Sequence, residues 1–123
     1  GELGLVPGAI TAVYLPGQQP IEKTETIVLK NSGTAALAYT LTLQTSQPLS
    51  LTLVSPLTGT LEPGAETAVA LGYKLAGQSS GSFAGLLRID TSSNNVDTVY
   101  TVPVSIYLWE EINQTFLPVA NRP

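Results

Sequence analysis

Leu37-Ala38-Tyr39-Thr40-Leu41-Thr42-Leu43-Gln44 is the segment that decides the fold. Large apolar side chains alternate in it with alanine, threonine and glutamine. Because successive side chains of a β-strand point to opposite faces, this alternation predicts a strand with one buried face and one face towards water. The pattern is typical of an antiparallel sheet, since strands of a parallel sheet are apolar on both faces.

The same period of two recurs in five other parts of the chain, which are residues 26–30, 49–54, 68–74, 83–90 and 96–108. Residues 9–15 add one further run, which makes seven. Turn-forming sequences such as Asn31-Ser32-Gly33 and Pro63-Gly64 separate them. No segment repeats apolar residues with the period of a helix over three turns. The sequence therefore predicts an all-β protein, an immunoglobulin-like antiparallel β-sandwich of about seven strands with extended apolar N- and C-terminal segments.

The 123 residues are enough for one domain of ordinary size. We predict an extended N-terminal segment at 1–9, the sandwich at 10–109 and an extended C-terminal tail at 110–123. The run 96–108 is longer than a usual sandwich strand and contains Pro103. Proline has no backbone N–H to donate, so Pro103 is expected to mark a bulge or an edge in this strand.

Three motifs occur in an order known from one group of β-sandwiches. Gly59-Thr60-Leu61-Glu62-Pro63-Gly64 precedes one strand, Gly81-Ser82-Phe83-Ala84-Gly85 begins the next, and Val102-Pro103-Val104-Ser105-Ile106 lies in the last. Residues 22–108 thereby resemble bacterial surface immunoglobulin-like domains of the BACON and ASPM-SPD-2-Hydin kind. The resemblance implies an immunoglobulin-like fold. It leaves the function open, because such domains serve as spacers, adhesive modules and assembly units.

Composition excludes several classes of function. Only 11% of the residues are charged, five basic against nine acidic, and no basic run occurs, which argues against nucleic acid and anionic membranes as partners. The chain has no Cys, His or Met, and no apolar stretch long enough to span a bilayer. A protein without the oxidisable residues Cys and Met suits the outside of the cell, so we expect a mature extracellular or cell-surface protein without membrane insertion.

The carboxylates do not predict an active site. Glu22 with Glu25 and Glu62 with Glu66 lie near strand ends and turns, where solvated acids are common. Glu110 and its neighbour Glu111 would point to opposite faces of a strand and cannot form a facing pair across a cleft. Because no nucleophile–base pair, metal cluster or phosphate loop can be assembled, we predict no enzyme activity and no cofactor.

Two polar segments allow more than one interpretation. The run from Asp90 to Asp97 contains two aspartates and two asparagines that could offer oxygen ligands to calcium. The same residue types form turns without any ion, by bonding their own backbone, and this is the simpler reading. Asn113-Gln114-Thr115 is a sequon, so Asn113 is a candidate for glycosylation.

The apolar ends carry the functional prediction. The predicted assembly contacts are Leu3, Leu5, Val6, Phe116, Leu117 and Val119. Each end either folds back on its own sandwich or adds as a strand to the sheet of a neighbouring molecule. We therefore predict a non-catalytic extracellular structural or interaction module of a bacterial surface protein. Its partners are other copies of itself or neighbouring domains, and exchange of terminal segments between copies would build a fibre.

The alternative is a carbohydrate-binding or spacer domain of a larger secreted enzyme or adhesin. A carbohydrate site needs an exposed aromatic platform, for which Tyr14, Tyr107 and Trp109 are the plausible members. Tyr107 and Trp109 share one face of a predicted strand. Packing in the core or at a sheet edge explains aromatic residues at this spacing equally well.

Overall fold

A computed structural model describes residues 3–110, and it is all-β, as predicted. Nine strands and a single turn of 3-10 helix at Pro16–Gln18 occur in this part of the chain. The strands are β1 (Leu3–Val6), β2 (Ile10–Tyr14), β3 (Ile21–Asn31), β4 (Leu37–Thr45), β5 (Ser50–Leu53), β6 (Thr58–Leu61), β7 (Glu66–Leu75), β8 (Gly81–Ser93) and β9 (Val96–Leu108).

The strands form two packed sheets, which confirms the predicted immunoglobulin-like β-sandwich. One sheet has the order β1-β3-β7-β5 and the other the order β2-β9-β8-β4-β6. Every pairing is antiparallel except that of β2 with β9, which is parallel. The core lies between the sheets and is built from the apolar side of each alternating strand. Its fully buried side chains include Ile27, Leu29, Leu71, Leu87, Ile89, Val102, Val104 and Ile106.

Two of the nine strands were not counted among the predicted seven. One is β6, which has only four residues and one buried side chain, Leu61, too few for a period to be recognised. The ring of Tyr39 in β4 lies directly over Gly59 in β6, where an added Cβ would overlap the ring. Glycine at this position therefore serves close packing.

The other additional strand is β1, in the predicted N-terminal segment. Leu3 is paired with Asn31 in one sheet, whereas Ile10 is paired with Val104 in the other sheet, so the N-terminal segment crosses from sheet to sheet. Of the two arrangements considered for this end, the structure shows folding back on the same molecule. Leu3 belongs to the core of its own sandwich, and Leu5 packs against that core. Val6 is 68% exposed.

Pro103 lies at an edge and not at a bulge. The pairing of β8 with β9 runs one residue to one residue from Gly81↔Leu108 to Ser93↔Val96, without an extra residue at Pro103. On the other side of β9, β2 pairs only with the stretch from Val104 onwards. Pro103 is therefore the point at which β9 loses its second neighbour. This suits a residue that cannot donate a backbone hydrogen bond.

Candidate functional site

The first half of β9 has an open edge, defined here as residues 96–103. Within residues 3–110, β8 is the only strand paired with this half. The backbone N–H of Trp109 donates to the carbonyl oxygen of Tyr14 in β2 at 3.1 Å, which shows that the odd-numbered residues of β9 face away from β8. Backbone groups alternate sides along a strand. Asp97, Val99 and Thr101 therefore direct their N–H and C=O groups to the open edge.

A pocket lies beside the open edge, at the end of the sandwich where β9 begins. This end pocket has a volume of about 340 Å³. Its walls are formed by side chains of β9, by the end of β8 and by the loop 32–35. The lining residues carry no charge; they include Thr34, Leu37, Thr91, Val96, Thr98 and Tyr100. An open strand edge beside an uncharged pocket can bind an extended chain by backbone bonds and select its side chains.

Asn31 holds the loop that forms one wall of the end pocket. This side chain is fully buried, and its amide nitrogen donates to the carbonyl oxygens of Ala35 at 2.8 Å and Leu61 at 2.9 Å. Its amide oxygen accepts a hydrogen bond from the N–H of Gly33 at 2.9 Å. A buried amide with three partners fixes the backbone around it. The wall is therefore rigidly positioned relative to β6 and to the core.

Two further residues that line the end pocket, Thr91 and Tyr100, are held in place by hydrogen bonds of their hydroxyl groups. Thr91 is buried, and its hydroxyl donates to the carbonyl oxygen of Thr98 on the neighbouring strand at 3.0 Å. The hydroxyl oxygen of Tyr100 accepts a hydrogen bond from the N–H of Leu3 at 3.3 Å. Tyr100 thus connects the open edge in one sheet with β1 in the other sheet. The end pocket and the open edge therefore share residues of β9, since Val96, Thr98 and Tyr100 line the pocket.

The segment from Asp90 to Asp97 forms the hairpin that ends β8 and begins β9. Asn94 and Asn95 have φ angles of 52° and 63°, as a two-residue hairpin turn requires. The carboxylate of Asp90 accepts hydrogen bonds from Arg88 at 2.9–3.1 Å. This hydrogen bond and the charge of Asp90 raise the pKa of Arg88. Of the two interpretations of this segment, the structure shows the turn. Of its two carboxylates, that of Asp90 is hydrogen-bonded to Arg88.

The remaining predicted acids within residues 3–110 lie on the surface. Glu22 forms an exposed ion pair with Lys74 at 3.4 Å, and Glu25, Glu62 and Glu66 are exposed. Within residues 3–110, no three of the residue types Asp, Glu, His and Cys lie close enough to hold a metal ion. Glu111 lies outside the described residues. Residues 3–110 contain no helix that is long and apolar enough to cross a membrane.

The structure brings two of the three candidate platform residues together. The rings of Tyr107 and Trp109 have centroids 5.9 Å apart and planes inclined by 48°, and Trp109 is 55% exposed. They border a shallow groove of about 530 Å³ together with Ser80, Gly81, Ser82, Leu108 and Glu110. Tyr14 does not join them. Its hydroxyl shares a hydrogen bond of 2.6 Å with the buried Tyr73, whose pKa is raised by burial and by this bond.

Four of the predicted site residues lie outside the described part of the chain. They are Asn113, Phe116, Leu117 and Val119, so their roles stay predictions. Sequence reasoning missed the end pocket, because its walls come from three segments that are distant in the chain. The length of the run 96–108 and Pro103 within it were the available signals of the open edge.

Solved structures share the fold of this chain at low sequence identity. No protein-family model and no curated protein matches the sequence. The chain is similar to an ASH / PapD-like domain of human CEP192, with 16% identity, a TM-score of 0.66 and coverage of 89% of this chain and 86% of that one. SSP-19, an MSP-domain protein like family member in Caenorhabditis elegans, has 16% identity, a TM-score of 0.57 and coverage of 83% and 96%.

A third similar structure is a chain of the CsuC-CsuE chaperone–tip adhesion subunit pre-assembly complex from archaic chaperone-usher Csu pili of Acinetobacter baumannii. The identity is 15% and the TM-score is 0.62. The match covers 88% of this chain but only 57% of the other. At such identities these likenesses establish an immunoglobulin-like, PapD-like β-sandwich, a fold that hosts many functions.

Proposed function

We propose that this chain is a non-catalytic interaction module of a bacterial surface protein, and that it joins neighbouring copies or domains by strand addition at the open edge. The observation that carries the proposal is the open edge itself beside the uncharged end pocket. Asp97, Val99 and Thr101 offer three N–H donors and three acceptors without a strand partner within residues 3–110. Main-chain bonds to such an edge give affinity, and the pocket beside it gives specificity.

The edge has little of the usual protection against pairing. Natural proteins shield open edges with lysine, proline, inward-pointing charges or bulges, and here proline stands only at Pro103, the last residue of the open stretch. The stretch 96–103 contains one charged residue, Asp97, and its pairing with β8 has no bulge. Val96 and Val99 are 63% and 50% exposed. An edge of this kind is suited to binding another chain.

The comparisons are compatible with a protein partner. One of the similar structures comes from a chaperone–tip adhesion subunit complex of pili, and another is a PapD-like domain. An extracellular location, assembly into a fibre and the absence of catalysis are parts of the proposal. They rest on the composition and on the lack of a nucleophile–base pair in the sequence.

Substitution of Val99 tests the proposal. Its N–H points to the open edge, so Val99→Pro removes one outward donor without breaking a bond to β8. Val99→Thr is the matched control, because it keeps the donor and a β-branched side chain. In sedimentation velocity over rising protein concentration, the wild type and Val99→Thr should associate and Val99→Pro should remain monomeric. Equal association of Val99→Pro and wild type would contradict the proposal.

A second candidate function, carbohydrate binding, is favoured by the contact between Tyr107 and Trp109. The exposed ring of Trp109 could stack on a sugar, and the nearby Ser82 hydroxyl and Glu110 carboxylate could bond its hydroxyl groups. Electrophoresis in gels that contain hydroxyethyl cellulose or mannan would test this candidate. Retardation of the wild type that is lost in Trp109→Ala would support it, and equal migration in all gels would exclude these polysaccharides.

A further inference from the structure

We infer that the occupant of the open edge is the C-terminal tail of a second copy, running parallel to β9, with Leu117 in the end pocket and Phe116 beside Val99 on the outer face. This inference rests on the proposed function and names the partner at the same site. The chain continues for thirteen residues beyond Glu110, and residues 112–119 are uncharged and rich in apolar side chains. The end pocket is uncharged as well.

Chain length shows why a second molecule is needed. β9 ends at Leu108, at the opposite end of the strand from the end pocket, so the tail starts there. If the tail doubled back after Glu110, residue 116 could come no farther along β9 than residue 104, because a chain advances about 3.3–3.6 Å per residue at most. The edge at residues 104–108 already pairs with β2. Leu117 cannot therefore reach the end pocket of its own molecule.

Stacking of two copies end to end removes this restriction. The end of one molecule that contains Glu110 would face the end of the next that contains Val96. Residues 111–114 can span about 14 Å, enough to cross between molecules in contact. The tail then enters the open edge from the Val96 end and runs in the direction of β9. This direction is the one in which β2 already pairs with β9.

Pro118 fixes which side chains enter the end pocket. Because proline has no N–H, Pro118 must face away from β9, so that Leu117 and Val119 direct their backbone groups towards it. In a parallel pair, a residue whose backbone groups face the partner strand is level with a partner residue whose own backbone groups face away from it. In the existing pair, Ile10 is level with Val104 and both side chains point into the core. By the same geometry Leu117 and Val119 point inwards.

Phe116 then points to the outer face, as Val99 does. Val99 is half exposed, and Phe116 beside it would cover apolar surface that the single molecule leaves in water. The pairing repeats from copy to copy without closing, because the donor tail and the acceptor edge lie at opposite ends of each molecule. The expected product is a linear head-to-tail fibre.

Mixing two blocked full-length variants tests the inference. Leu117→Ser blocks the tail as donor, and Val99→Pro blocks the edge as acceptor. Each variant alone should be monomeric, and their mixture should form a 1:1 dimer and nothing larger, measured by light scattering after size exclusion. Leu117→Ser should weaken association by about tenfold to a hundredfold. Leu57→Ser, which changes an exposed leucine of the β5–β6 connection, is the matched control and should assemble like wild type.

The other outcomes separate the inference from the proposed function. If Val99→Pro abolishes association and Leu117→Ser does not, the edge is used by another segment and the inference is wrong, whereas the proposed function stands. If neither variant changes the association, both are wrong. If the wild type is monomeric at every concentration and removal of residues 111–123 lowers its thermal stability, the tail packs on its own domain and the inference is overturned.

Discussion

Substitution of Asn31 by alanine should remove the wall of the end pocket and much of the stability of the fold. The Asn31 side chain makes three hydrogen bonds, two donated to the carbonyls of Ala35 and Leu61 and one accepted from the N–H of Gly33. Three bonds at about 1 kcal/mol each, with an added penalty for the carbonyl of Leu61 left buried, give a loss of about 3–4 kcal/mol in the free energy of unfolding.

Urea denaturation followed by circular dichroism measures this loss. At a slope of about 1–3 kcal/mol per molar urea, the midpoint should fall by about 2 M. Ser32→Ala, at the exposed neighbouring position, should change the free energy by less than about 0.5 kcal/mol. If Asn31→Ala costs less than about 1 kcal/mol, the hydrogen bonds around this amide do not hold the loop and the account of the pocket wall is wrong.

Two further substitutions test side-chain contacts, one within a sheet and one between the two sheets. Gly59→Ala should destabilise the protein by about 1–3 kcal/mol, because its Cβ would overlap the ring of Tyr39, whereas Gly17→Ala, with no atom within 4 Å, should be nearly neutral in the same urea assay. The pKa of Tyr73 is raised by burial and by its hydrogen bond to Tyr14. Above about pH 10 the Tyr73 hydroxyl therefore loses its proton more readily in the unfolded chain than in the folded protein. The free energy of unfolding should be constant below that pH and fall as the pH rises above it. Tyr73→Phe should remove that dependence on pH, and a wild-type urea midpoint that is unchanged up to about pH 11 would contradict the assignment.

The fold could be predicted because its information is local. The alternation in 37–44 and 96–108 reports the sheet face of each residue directly, and the same leucines and valines form the core. The two strands missed, β1 and β6, are four residues long, which is too short for a period. The parallel pairing of β2 with β9 follows from the crossing of the N-terminal segment between sheets, which no local pattern reports.

The candidate site was only partly predictable. The excess length of the run 96–108 and Pro103 indicated a bulge or an edge, of which the structure shows the edge, and the rings of Tyr107 and Trp109 lie together as their spacing indicated. The end pocket depends on Asn31. The sequence indicated a turn at this residue, but it did not indicate the three groups to which the side chain is hydrogen-bonded. Those partners and the pocket walls come from segments distant in the chain, so they follow from tertiary packing and not from periodicity.

Hydrogen exchange of the β9 backbone tests the central claim most directly. In the assembled wild type compared with monomeric Leu117→Ser, the N–H groups of Asp97, Val99 and Thr101 should become protected, because they gain a strand partner. The N–H groups of Thr98 and Tyr100 face β8 and should be protected in both samples. The account predicts that assembly changes the exchange rate at every second residue, at 97, 99 and 101 but not at 98 and 100. Outward N–H groups that exchange equally fast in the assembled and monomeric samples would contradict it.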